Sequence, residues 1–400
     1  MTTEFDFDPF DPQYFENPYP SYRTMRHEHP VYRREIENYR VFPHYWMISR
    51  AQDVHDALSD AGTFSSARGT LIDTDSSLIP PNMFHMDPPR HDELRALLAR
   101  VLTPSKIAGL EPHVLECAEG LVDSFKAKGS FDATTQYAQI IPTITMCELL
   151  GLPRSERERF LKWNLDTIAG DDFTSESALR AYAEMDTYWK DLVAERRENR
   201  TNDLISQILH NQTEGEELSD EEIGGFCSLL HDASQNTTMN LISNAIITLA
   251  RHPDQRRKLV QEPARWPTAL EELLRYESPV QGLARATTRD VTIGDVTVPK
   301  GDQVLLLYAS ANHDETVFPD PDPDILDFDR KVKSHWTFGH GVHFCLGNAV
   351  ARLETRVALQ VLLKTIPDFE VDESGIVRGQ LVPTRGVFNA PISFEPVSAG

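Results

Sequence analysis

Residues 338–347 read Phe338-Gly-His-Gly-Val-His-Phe-Cys345-Leu-Gly347, and an amphipathic run, NAVARLETRVALQVLL, follows at once. Gly339 and Gly341 permit a tight loop whose backbone approaches its neighbours closely. Cys345 precedes a helix, where free N–H groups and the helix dipole favour a thiolate. A stabilised thiolate in an apolar loop suits an axial iron ligand, and haem iron held by a thiolate is pushed toward O–O cleavage. Two other readings of the loop stand beside this one. Cys345 is also readable as a buried structural cysteine. His340-x-x-His343-x-Cys345 is also readable as part of a zinc site, but structural zinc takes four ligands and no fourth Cys or paired His lies nearby in the sequence. No C-x-x-C-H occurs, which excludes a covalently attached c-type haem.

The rest of the chain bounds the answer. It has 400 residues, 39 basic and 62 acidic side chains and a formal net charge of −23. Such acidity opposes binding to nucleic acid or to an anionic membrane surface. With 40% hydrophobic residues, the chain can bury a large core. No apolar run reaches the roughly 18–20 residues of a membrane helix. The N-terminus, MTTEFDFDPFDPQYF, lacks the order of a signal peptide. Four scattered cysteines (Cys117, Cys147, Cys227 and Cys345) are too few for a disulfide framework. A reducing, cytoplasmic setting is expected, with no membrane and no nucleic-acid partner.

Hydrophobic periodicity predicts helices over 89–102, 105–126, 137–151, 154–168, 175–198 and 203–212. A longer helix begins at Ser219-Asp-Glu-Glu222, which fits a capping box, and runs to His252 before Pro253. At 1.5 Å per residue it is roughly 48 Å long, enough to cross a domain. Another helix is expected at 266–276, and a last one from about 346 to 364. Strand patterns occur near 31–49, in ATTRDVTI, VTVP and QVLLLYAS, and close to the C-terminus. The loop 314–329 holds seven acids and no base, which reads as a solvated surface. The fold class is mainly α with minor β: one large domain over 1–400, a long central helix and small sheet regions. Strands do not alternate with helices, so a doubly wound sheet is not expected.

The middle of the long helix reads Leu229-Leu-His-Asp-Ala-Ser-Gln-Asn-Thr-Thr238. For His231 and Asp232 one polar helix face is a sufficient account. Ser234 to Thr238 cover all sides of the helix, so some must face the interior, where an unpaired polar group is costly. A Thr hydroxyl there can bond to the carbonyl one turn earlier.

The cysteine loop resembles the haem-ligand signature of the cytochrome P450 family. Glu272-Leu-Leu-Arg275 resembles the family's E-x-x-R helix, and Arg330 in DFDR its meander arginine. Arg285-Ala-Thr-Thr-Arg-Asp290 with GDVTVPKGDQVLLLYASANHD is similar to its strand region. PPRHDELR, with His91 and Arg95, is similar to its propionate-binding helix. In that order and spacing the set is specific, and it runs from about residue 17 to 396. The resemblance implies a single P450-like fold of the soluble bacterial type and haem b bound through Cys345. His91, Arg95, Arg285 and His343 are implied as partners of its propionates. Glu272, Arg275 and Arg330 are implied as a buried ion-paired network that braces the cysteine loop.

The resemblance also implies an oxygen-activating role for Thr237. Here the chain departs from the pattern A-G-x-D/E-T-T: it has Ser234 for the glycine and Asn236 for the acid. A carboxylate relays protons by changing charge, whereas an amide only hydrogen-bonds or positions water. Proton delivery is therefore expected to rest on Thr237, Ser234 and solvent, or on another route.

The implied activity is insertion of one oxygen atom from O2 into a small, largely apolar organic substrate, by hydroxylation or oxidative dealkylation. Substrate walls would come from the loop 68–86, the central helix at 231–237, 280–283 and 387–388, with Phe84, Val280, Leu283 and Phe388 as contacts. No G-x-G-x-x-G occurs, so electrons would come from a separate ferredoxin and its NAD(P)H-dependent reductase. Arg352 and Arg356 would steer that acidic partner. Three alternatives remain: a peroxide-using or coupling haem-thiolate enzyme, a non-catalytic haem carrier or sensor, and a zinc-stabilised helical protein.

Overall fold

The computed structural model describes residues 5–36, 41–72, 82–168, 175–210, 218–379, 382 and 384–398. It divides into two compact units.

The first unit comprises Met1–Ile79, Glu271–Cys345 and Arg378–Gly386. Its centre is a five-stranded sheet. The hairpin Val31–Glu35 and His44–Ile48 lies at one edge, and Gln303–Leu306, Leu283–Thr287 and Phe64–Ser65 follow in that order. His44–Ile48 runs parallel to Gln303–Leu306 and the other pairings are antiparallel. Alternation places Tyr45, Met47, Ala284 and Leu305 with the N-terminal aromatics Phe7, Phe15 and Tyr22. Trp46, Ile48, Val304 and Leu306 face a second core against the helix Ala51–Ser59. The expected strand ATTRDVTI is instead two strands, ending at Thr287 and restarting at Val291, and YAS opens a short helix, Tyr308–Asn312.

The second unit comprises Pro80–Leu270, Leu346–Val377 and Val387–Gly400. The helix Asp220–Arg251, 32 residues long, is its spine. Ser219 accepts from the Glu222 amide while the Glu222 carboxylate accepts from the Ser219 amide, so the capping box forms as read. The helices Ile140–Leu149, Glu176–Glu198 and Asn348–Thr365 pack along it. The expected single helix over 105–126 is broken into Pro104–Ala108 and Glu111–Phe125. The helix expected at 137–151 begins only at Ile140, after a π-helical turn at Thr134–Ala138.

The acidic loop is a correction. Asp314 is buried and its carboxylate accepts the Ala51 amide. Asp322 and Asp324 both pair with Arg23, and Asp324 also holds His313 at 2.6 Å. Several of these acids anchor the loop in the first unit rather than merely facing solvent.

Candidate functional site

The cysteine loop is fastened at its base and shaped by its own backbone. The Cys345 amide donates to Phe338 O at 2.9 Å, Gly339 N to Trp336 O at 2.8 Å and Phe344 N to Gly341 O at 3.0 Å. Gly339 and Gly341 have φ of 70° and 69°, a region that L side chains rarely adopt. A Cβ on Gly341 would lie 2.3 Å from Leu58 O, so only glycine lets the loop lie against the end of the helix Ala51–Ser59. Cys345 is half-buried, two residues before Gly347, the N-cap of Asn348–Thr365. Upstream, Trp336 N donates to Asn312 Oδ1 at 2.6 Å, and Asn312 Nδ2 donates to Ser278 and Thr337.

The brace behind the loop is the network read from E-x-x-R and DFDR. Glu272 and Arg275 are fully buried and joined by two bonds of 2.7 and 2.8 Å. Arg330 Nε adds a third bond to Glu272 at 3.2 Å. Arg275 also donates to Asn312 O and Pro323 O, and Arg330 to Pro321 O, Asp322 O and Ile325 O. A buried ion pair is tolerable only when its remaining donors are met in this way.

Arg285 lies on the strand Leu283–Thr287 and is buried at 3% exposure. Its guanidinium donates to Ala284 O at 2.7 Å and bonds the Tyr308 hydroxyl. Among the described residues no carboxylate pairs with it, so the strand presents a buried cation suited to an anion. His91 and Arg95 stand one turn apart on the helix Arg90–Val101. His91 is fully buried, with Nδ1 2.8 Å from Asp92, and Arg95 is half-buried. His343 is half-buried in the short turn before Cys345.

The middle of the long helix is open on one side. Ala233 is exposed, and Leu229, Leu230, Ser234, Asn236 and Thr237 are half-exposed, although the helix is buried from Met239 to Leu249. Thr237 Oγ1 donates to Ala233 O at 2.5 Å, the back-bond expected of a threonine there. Asn236 Oδ1 accepts from Asn240 at 3.2 Å. His231 departs from the expected polar face. It is fully buried, 3.1 Å from Asp232 and against Phe160. Phe84, Val280, Leu283 and Phe388 are all half-buried apolar positions. Val280 bridges to Thr384 and, with Leu283, packs on the sheet core. Part of the expected loop 68–86, residues 73–81, lies outside the described residues.

The family model described as Cytochrome P450 matches residues 171–266 and 267–377. The putative cytochrome P450 123 of Mycobacterium tuberculosis is 37% identical over 399 residues, 98% of each chain. The chain belongs to the cytochrome P450 family. The vitamin D(3) 25-hydroxylase of Pseudonocardia autotrophica is 36% identical over 400 residues, 98% of this P450 and 97% of that enzyme. The bacillaene polyketide synthase P450 PksS of Bacillus subtilis 168 superposes with a TM-score of 0.89 at 31% identity, over 98% of this chain and 100% of that one. This P450 is therefore a monooxygenase of a haem-binding family whose iron carries an axial cysteine thiolate. The residues present fit that group: a glycine-cradled cysteine ahead of a helix, and a buried guanidinium without a described acid. Among the described residues no group of three or more metal-ligating side chains gathers at His340, His343 and Cys345 as zinc would require, and no helix is long and apolar enough to cross a membrane.

One residue escaped the sequence reading. Glu354, on the helix after the cysteine, is buried at 2% exposure. Burial raises its carboxyl to about 7, against the opposing hydrogen bonds from Thr145 and Thr238. Its signal was position: it falls on the stripe of Val350, Leu353, Val357, Ala358 and Val361, all buried. An acid with a raised folded pKa makes the fold less stable as pH climbs from its unfolded value toward 7, and the cost stays constant above that. From 4.5 to about 7, the cost of ionising it is on the order of 3 kcal/mol. Glu354→Gln is therefore expected to stabilise the protein at pH 8 and to leave it nearly unchanged at pH 5. Urea unfolding at the two pH values checks this; an equal effect at both would refute it.

Proposed function

We propose that this P450 inserts one atom of O2 into a largely apolar small organic substrate, and that 1–400 works as one catalytic domain. The observation that carries the reading is the cysteine loop, shaped by Gly339 and Gly341 and braced by the Glu272 network. Cys345 supplies the thiolate, and Arg285, His91, Arg95 and His343 neutralise and hydrogen-bond the propionates. Bound haem supplies the iron at which O2 is reduced and cleaved. Thr237 and Ser234, with Asn236 as an uncharged neighbour, orient protons and solvent at the open middle of the long helix. Phe84, Val280, Leu283 and Phe388 exclude water and favour an apolar substrate.

Electrons would come from a ferredoxin and an NAD(P)H-dependent reductase. Of the two arginines expected at the docking face, Arg356 is 3.0 Å from Glu111, which offsets part of its charge. That leaves Arg352 as the stronger steering group. A peroxide-driven reaction is the second reading, and Asn236 is the residue that favours it.

The vitamin D(3) 25-hydroxylase and the solved complex of P450BioI with acyl carrier protein ligated to hexadec-9Z-enoic acid both point to long apolar substrates. Vitamin D3 and free hexadec-9Z-enoic acid are therefore the first probes. Product formed with ferredoxin, reductase and NADPH supports the reading. Product formed only with hydrogen peroxide favours the second. Thr237→Ala is expected to divert about 90% or more of the reducing equivalents to peroxide, a loss at the scale of about tenfold or greater for a proton-positioning group. Peroxide released per NADPH consumed measures it, and intact coupling would remove Thr237 from oxygen activation.

A further inference from the structure

Asn240 ties the open middle of the long helix to the strand Val387–Asn389 of the same unit. It is fully buried, and both ends of its amide are engaged. Its Oδ1 accepts from the Val387 amide at 3.1 Å, and its Nδ2 donates to Asn236 Oδ1 at 3.2 Å. The identity of the donors fixes the direction of this chain. Val387 presents a backbone N–H, so Asn240 must meet it with oxygen. That turns the Asn240 amino group to Asn236, which must answer with oxygen. Asn236 and Asn240 are four residues apart, the spacing that brings side chains together on one helix face.

The strand has three residues and is pinned beyond its far end as well. Asn389 Nδ2 donates to Gly375 O at 2.8 Å, and the next amide, Ala390 N, donates to Asp132 Oδ2 at 2.6 Å. Val387 is fully buried and Phe388 half-buried, as expected of neighbours that point to opposite faces of a strand. The bond from Asn240 therefore holds the residue directly before Phe388. Without Asn236, the buried Asn240 would keep an unmet donor, a costly state that favours a shift of its amide and of the strand it holds.

We propose that Asn236 is a positioning residue for substrate: acting through Asn240, it sets the place of Phe388 against the substrate and so selects which carbon is oxidised. This rests on the oxygenase reading above and on Phe388 as a substrate contact. The residue that stands where the family pattern has an acid serves here as a hydrogen-bond acceptor. An aspartate would also fill that role, and an alanine would not. Oxidation is sensitive to such placement, since a shift of about 1 Å at a positioning group can change a rate about a hundredfold.

The test compares Asn236→Ala with Asn236→Asp in the haem-loaded protein. Asn236 is half-exposed, so both variants should fold. The first readout is hydrogen exchange, followed by mass spectrometry on the peptide that contains Val387. Its amide should exchange about two- to tenfold faster in Asn236→Ala, the scale of one hydrogen bond, and at the wild-type rate in Asn236→Asp. The second readout is the ratio of positions oxidised on hexadec-9Z-enoic acid with ferredoxin, reductase and NADPH. That ratio should shift about twofold or more in Asn236→Ala and hold in Asn236→Asp, whatever either change does to total turnover. A residue that served only proton delivery would alter the peroxide released per NADPH and leave the ratio alone. Unchanged exchange or an unchanged ratio in Asn236→Ala overturns the proposal, as does a shift in Asn236→Asp as large as that in Asn236→Ala. If wild type leaves the probe unoxidised, the substrate reading has failed instead, and the exchange rates alone decide for Asn236.

Discussion

Cys345→Ala is expected to yield a folded protein whose reduced carbon monoxide complex lacks the strongly red-shifted Soret band of thiolate ligation, and which forms no product with ferredoxin, reductase and O2. The loop should survive the change. Its bonds are backbone bonds, Cys345 N to Phe338 O and Gly339 N to Trp336 O, and its turns are set by two glycines. What is lost is the ligand atom, and with it the stabilisation a bound group lends the folded state. That stabilisation is about 4 kcal/mol for a ligand present at a thousand times its Kd. Thermal unfolding should therefore show wild type and variant alike without haem and separated with it. A variant that kept the red-shifted band would move the axial ligand away from Cys345 and reopen the structural reading of that cysteine.

Glu272→Ala is expected to cost roughly 3–5 kcal/mol, the penalty for removing one partner of a buried ion pair. Arg275 is fully buried and would keep Asn312 O and Pro323 O, but its bidentate carboxylate would be gone. Arg330 would lose its bond to the same carboxylate. Two cations would then face each other in a dry interior. Against a typical stability of about 5–15 kcal/mol, this is enough to lower soluble yield and haem content together. Urea midpoints of wild type and variant measure the effect. Arg275→Lys should fail nearly as badly, since an ammonium cannot reproduce a planar bidentate fork. A loss under about 1 kcal/mol would mean the pair is not buried in solution as it is here.

The parts of the fold that local rules control were legible. Ser219 and Glu222 announced the long helix because a capping box is a contact between residues three apart. The helix Trp266–Tyr276 matched its expected bounds. Local reading failed where distant partners intervene. One miss was local instead: the run 105–126, read as a single helix, contains Gly109 and Pro112, and the helix ends at Ala108 and restarts at Glu111 with Pro112 in its first turn. Asp314 and Asp324 looked like solvent-facing acids until Ala51, Arg23 and His313 were brought to them from elsewhere in the chain. His231 looked like surface, and packing against Phe160 buried it.

The sequence by itself determined the family and the long helix of the second unit, and it nominated Cys345 as the residue to hold the iron. Each depends on short-range order: a glycine-spaced loop, a capped helix and an ion-pairing motif at fixed offsets. It also showed that the usual acid is missing at Asn236. Only the tertiary structure decided that Glu354 is buried. The glutamate in NAVARLETRVALQVLL falls on the apolar stripe of its helix, but how far its carboxyl is desolvated depends on what packs over it. When the helices that bear Thr145 and Thr238 close on Glu354, they remove its water and leave it two hydroxyls, and that environment raises its pKa.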